Sequence, residues 1–143
     1  MEGFWDSFVQ QSNPEYLLRM GLAVLLGGVI GLERELRGRA AGLRTLIIVC
    51  LGSTIIMMLS TELPPQFFGG DTAAIIRVDP GRIAAGIVTG IGFLGAGVVV
   101  KHGDLVRGVT TAASIWFVAA LGIAIGEGQY SLSVVATLLL LLV

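Results

Sequence analysis

Long apolar stretches with almost no charge dominate this chain: Leu17 to Leu32, Leu46 to Leu59 (Leu43 to Leu63 if Arg44 and Glu62 cap the ends), Ile83 to Val100, Val109 to Ile125 and Tyr130 to Val143. At about 1.5 Å per residue the third covers ~27 Å and the fourth ~26 Å, close to the ~30 Å hydrocarbon thickness of a bilayer once the flanks snorkel. The fifth covers ~21 Å and ends without Lys, Arg, Trp or Tyr to mark an interface, so the sequence is expected to stop inside its last helix. A soluble chain cannot hide this much apolar surface. Of the 143 residues 55% are apolar and 13% charged, about half the ~25% charge of a soluble domain, and a chain this small leaves much of its surface outside. The fold class expected is all-α: a polytopic membrane bundle of about five transmembrane helices surrounded by lipid.

The first residues do not read as a cleavable signal, because Met1 to Glu15 carries Glu2, Asp6 and Glu15 and no basic residue. Phe4, Trp5, Phe8 and Tyr16 among polar neighbours suggest instead a short helix over residues 4 to 12 along the headgroups, stopped by Pro14. The chain divides into an interfacial N-terminal segment, 1–16, and a transmembrane domain, 17–143. The basic residues orient it. The first and third loops hold Arg34, Arg37, Arg39, Arg44, Lys101 and Arg107, whereas the N-terminal side and the second and fourth loops hold Arg19, Arg77 and Arg82. That bias predicts N-terminus out and C-terminus in. The long second loop, Glu62 to Arg82, is broken by Pro64, Pro65, Gly69 and Gly70, and Asp79 followed by Pro80 reads as an N-cap and first helical residue.

Nine basic against ten acidic residues give none of the basic excess of a nucleic-acid binder. The lone Cys50 lies in an apolar run and reads as a small hydrophobe. Gly90-Ile-Gly-Phe-Leu-Gly95 spells a dinucleotide fingerprint, but neither a strand nor a helix start accompanies it, so nucleotide binding is rejected. Gly86, Gly90, Gly92, Gly95 and Gly97 are read as a helix-packing face where backbones approach closely. A broken helix lining a polar cavity is the alternative.

The first loop carries a charged rim of Glu33, Arg34, Glu35 and Arg44, to which Arg107 of the third loop adds. Glu33 and Arg37, and Glu35 and Arg39, have the spacing of pairs along one helical turn. Glu33 lies near the membrane boundary, where a partner is needed, and Arg44 is the candidate for an interhelical latch. No carboxylate falls mid-span, so Glu33, Glu35 and Asp79 are at most rim sites for a metal. The hydroxyls Thr45, Ser53, Thr54, Thr89, Thr110, Thr111 and Ser114 are expected to bond back to their helix or across to a neighbour. His102 reads as part of a tight polar turn over Lys101 to Asp104. No catalytic arrangement, phosphate loop or His–Cys metal spacing is present, so neither an enzyme nor a cofactor is expected.

Several segments agree in order with one family. Ile30-Gly-Leu-Glu-Arg-Glu35, Ala41-Gly-Leu-Arg-Thr45, Asp79-Pro-Gly-Arg-Ile-Ala-Ala85 running on to Gly97, and Val106-Arg-Gly108 with Thr111-Ala-Ala-Ser-Ile-Trp116 resemble the MgtC/SapB family from about Leu18 onward. Thr45, Asp79, Arg82, Thr110, Thr111 and Trp116 are the motif positions carried over. Gly86 stands where the family often has Gln, and Leu46 where a polar residue is common. The resemblance implies a multi-pass protein of the bacterial cytoplasmic (inner) membrane, linked to growth at low magnesium and, in pathogens, to survival inside macrophages. The leading functional expectation is a non-enzymatic regulatory module that binds other inner-membrane proteins. The alternative is an ion or small-solute permease, for Mg²⁺ or another ion, assembled as a homo-oligomer.

Overall fold

The computed structural model describes residues 13–62, 79–102 and 105–143. Among them are five helices, α1 (Pro14–Leu36), α2 (Leu43–Glu62), α3 (Pro80–Val98), α4 (Val109–Gly126) and α5 (Tyr130–Leu141), and one hairpin, β1 (Val100–His102) with β2 (Leu105–Arg107). The first four are long and apolar enough to cross a membrane, while α5 is shorter. The expected interfacial helix, most of the second loop and the tip of the polar turn lie outside the described residues.

Local chemistry sets the helix ends. The side chain of Asn13 accepts from the Glu15 amide at 3.1 Å and Pro14 takes the first helical position, so Pro14 starts α1 three residues before the expected boundary at Leu17. The far end of α1 closes as a Schellman motif. Gly38, at φ +64°, donates its N–H to the Glu35 carbonyl, and the Arg39 amide reaches back to the Arg34 carbonyl at 2.9 Å. Asp79 caps α3 by accepting from Gly81 N at 2.9 Å, with Pro80 next, as expected from the sequence. α3 stays helical through all its glycines to Val98, which removes the broken-helix alternative. Val99 is extended, and the expected polar turn is flanked by a short antiparallel ladder pairing Val100 with Arg107 and Lys101 with Val106. Gly108, at φ +92°, turns this hairpin into α4 in a space where a Cβ would stand 2.0 Å from the Val98 carbonyl oxygen.

α2 packs on α1 and α4, α3 leans chiefly on α4, and α5 lies against α4 and α1. The core runs along the seams of α1, α2 and α4: Ala23, Leu26, Ile30, Leu46, Cys50, Ile115, Val118, Leu121 and Ile125. Close approach comes from glycines outside α3. A Cβ on Gly31 would stand 2.7 Å from Leu43 Cα, and one on Gly122 would stand 2.4 Å from the Cys50 carbonyl oxygen. These small residues bring α2 against α1 and α4, the packing device of membrane helices. The outer surface is apolar, with Leu17, Leu25, Ile48, Leu59, Phe93, Leu132 and Leu139 exposed. Such a surface suits lipid and not water.

Candidate functional site

Each end of the bundle has an arginine whose partners sequence patterning alone did not give. At one end Arg19, inside the first apolar stretch, binds Glu15, the Tyr130 hydroxyl and the Gly126 carbonyl, tying the start of α1 to the end of α4 and the start of α5. The signal was a lone charge in an apolar run, which requires partners when buried. At the opposite end Arg34 is only 5% exposed. Its Nη1 donates to Ser114 Oγ at 2.8 Å, its Nη2 to Thr111 Oγ1 at 2.8 Å and the Ala40 carbonyl at 3.1 Å, and its Nε to the Ala41 carbonyl at 3.3 Å. Ser114 Oγ in turn donates to the Thr110 carbonyl at 2.9 Å. Thr111 and Ser114 thus bond across to a neighbour, as their position suggested.

This geometry replaces the expected latch. Glu33 pairs with Arg37 one turn away, as one of the spacings predicted, and Arg44 is exposed with no ion pair among the described residues. The reason is reach: Arg34, not Glu33, turns inward to α4, and the turn that follows brings two carbonyls over its guanidinium. That turn includes Ala41 at φ +57°, a conformation costing an L-residue about 1–2 kcal/mol, held by the bond from Arg34. Glu35 does not pair with Arg39; it accepts from the Leu43 amide at 2.9 Å, at the start of α2. The three rim carboxylates are therefore engaged elsewhere, Glu33 by Arg37, Glu35 by α2, and Asp79 by the start of α3 with Arg82 3.8 Å away. Among the described residues no group of three or more His, Cys, Asp or Glu could hold a metal ion. Thr45, Thr110 and Arg107 are exposed, and Trp116 is half exposed on the outside of α4.

A small cavity of about 150 Å³ lies beside Arg34, lined by Ile30, Glu33, Arg37, Arg39, Thr110 and Ser114 and by Leu140, Leu141 and Val143 at the end of α5. A second, apolar groove of about 540 Å³ runs between α2 and α3, lined by Ile48, Ile56, Ile83, Gly86, Gly90 and Leu94. The expected packing face of α3 meets its own chain at one glycine, Gly95, whose Cβ would touch Ala112 at 3.6 Å. Among the described residues nothing lies within 4 Å of a Cβ at Gly86, Gly90, Gly92 or Gly97; α3 makes its main contact with α4 and a lesser one with α2.

The MgtC family model matches residues 20–143. The chain belongs to the MgtC family. Among its relatives, YhiD of Escherichia coli (strain K12), described provisionally as a magnesium transporter, is 40% identical over 92% of this chain and 60% of its own length. Protein MgtC of Salmonella typhimurium (strain LT2) is 43% identical over 88% of this chain and 49% of its own. The chain thus spans about half to three fifths of the length of the relatives it matches. No solved structure matches it. As an MgtC-family protein with four candidate spans, it is a multi-pass protein of the bacterial inner membrane.

Proposed function

We propose that this MgtC-family domain serves magnesium homeostasis and adaptation to low magnesium as a non-enzymatic module that docks a transmembrane helix of another inner-membrane protein against α3. The observation that carries the reading is the unfilled glycine face: Gly86 and Gly90 line the groove toward α2, and nothing among the described residues lies within 4 Å of a Cβ at either. Phe93, 83% exposed, stands on the same helix. In lipid there is no hydrophobic drive for two helices to meet, so close backbone contact and dispersion must supply association, and small residues permit both. The basic end, with Arg34, Arg37, Arg39, Arg44, Lys101 and Arg107, faces the cytoplasm in this reading. The name of one relative, YhiD, described provisionally as a magnesium transporter, supplies the link to magnesium.

The groove walls are apolar apart from Ser53 and Arg82, so this groove by itself offers an ion no replacement for its hydration shell. A permease through it would therefore need several copies. The test is growth of a strain lacking its own copy in low-magnesium medium, rescued by the full-length protein or its variants. Gly90→Leu and Gly86→Leu should fold normally, since among the described residues nothing lies within 4 Å of a Cβ at either position, yet fail to rescue. Rescue equal to wild type by both would remove the docking face.

A further inference from the structure

We infer that the helix docked between α2 and α3 carries an uncharged hydrogen-bonding side chain, of the Ser, Thr, Asn or Gln class, at mid-membrane depth, where it pairs with the hydroxyl of Ser53. This rests on the α3 docking reading and names the chemistry of the partner. Of the hydroxyl side chains buried among the described residues, six are satisfied within the chain: Thr54, Ser60, Ser114, Ser133 and Thr137 donate to a carbonyl three or four positions earlier, and Thr111 accepts from Arg34. Ser53, only 4% exposed, has no such bond among the described residues. It lines the groove, and since no side-chain oxygen among the described residues is both fully enclosed and unpartnered, its hydroxyl opens on that groove.

Depth decides what can satisfy it. Ser53 stands at the middle of α2, about 15 Å from either end, which is half the hydrocarbon thickness of a bilayer. Acyl chains offer no hydrogen-bonding group there and the bilayer core holds no water, so an unpaired hydroxyl keeps the cost of its desolvation. The other polar group of the groove, Arg82, lies in the first turn of α3 and is 87% exposed beside Asp79, where headgroups and water serve it. Ser53 is thus the group that a neighbouring helix must pair. Because a serine hydroxyl is short, that helix has to bring its own backbone close. The groove permits this: among the described residues nothing lies within 4 Å of a Cβ at Gly52, beside Ser53, or at Gly86 and Gly90 on the opposite wall. On its other side Ser53 is closed off by α4, where a Cβ on Gly122 would stand 2.7 Å from Ser53 Cβ. A neutral side chain fits better than an ionised one, since a charge at mid-bilayer costs more than one hydroxyl returns.

The test uses the full-length protein in phosphatidylcholine vesicles and two labelled synthetic transmembrane helices at low peptide-to-lipid ratio, with association read by fluorescence energy transfer. Both helices are Leu–Ala hosts with a Gly-xxx-Gly face; one has Asn at the centre of that face, the other Leu. Wild type should bind the Asn helix about three- to tenfold more tightly than the Leu helix, the range of a hydrogen bond between membrane helices. Ser53→Ala removes the hydroxyl, keeps the Cβ that packs on α4, and should bind both helices alike at the weaker level. Gly90→Leu should bind neither. Equal binding of the two helices by wild type, with both lost in Gly90→Leu, overturns this inference alone, keeps the docking face and leaves Ser53 to bond back to the Val49 carbonyl. A preference for the Asn helix that survives in Ser53→Ala also overturns it. Binding of neither helix by wild type, or binding unchanged in Gly90→Leu, overturns the docking reading and this inference with it.

Discussion

Replacing Gly122 by Ala should loosen the seam between α2 and α4, while the same change at Gly90 should leave the fold untouched. The added methyl at Gly122 would stand 2.4 Å from the Cys50 carbonyl oxygen and 2.7 Å from Ser53 Cβ. Relief requires the helices to part by about 1 Å, and overpacking of this kind costs about 1–3 kcal/mol. Thr54 Oγ1 shares its one proton between the Gly122 carbonyl at 3.0 Å and the Cys50 carbonyl at 2.9 Å, so stretching the first forfeits at most about 1 kcal/mol. Against these stands the better helix propensity of Ala, about 1 kcal/mol. The net expectation for Gly122→Ala is a loss of about 2 kcal/mol. Gly90→Ala keeps the propensity gain with no clash and should gain up to ~1 kcal/mol. Unfolding by sodium dodecyl sulfate in mixed micelles, followed by Trp fluorescence, reads the difference. Equal midpoints for the two variants would refute the assignment of close packing to α4 rather than α3.

Arg34→Ala leaves Thr111, Ser114 and the strained Ala41 turn without their shared donor, and should lower stability in the same unfolding assay by about 1–3 kcal/mol; Arg34→Lys should recover only part, since an ammonium cannot reproduce the fork. Glu33→Ala should cost less than about 1 kcal/mol, the worth of a partly exposed pair, and reversing Glu33 and Arg44 together should restore nothing measurable because the two do not pair. A reporter active only in the cytoplasm should work when fused after Arg39 and fail after Gly126; the opposite pattern would invert the bundle.

The spans were legible because charge-free apolar length is a one-dimensional property. The start of α3 at Asp79-Pro80 was equally legible, since a cap and a proline act on their immediate neighbours. What could not be read was which helix meets which. Glycine counts pointed to α3, yet the seams depend on Gly31 and Gly122, whose neighbours are far away in sequence. Likewise Glu33 and Arg34 are adjacent, and a helix rotates each residue about 100° from the last; which one faces α4 decides between a latch and the buried arginine actually found. Thr111 and Ser114 lie about eighty positions from Arg34, and spacing within one helix cannot reveal such a pairing. The hairpin at Val100–Arg107 was missed because strands of three residues leave little alternation to detect.

The central claim is that the glycine face of α3 is open to a partner helix. A photoreactive amino acid placed at position 90 of the full-length protein, in cells grown in low magnesium, tests it most directly, with position 17 on the exposed side of α1 as reference. Irradiation should give a discrete protein–protein adduct from position 90 and none from position 17. Adducts confined to lipid at both positions, or a link from position 90 only to α2 of the same chain, would contradict it.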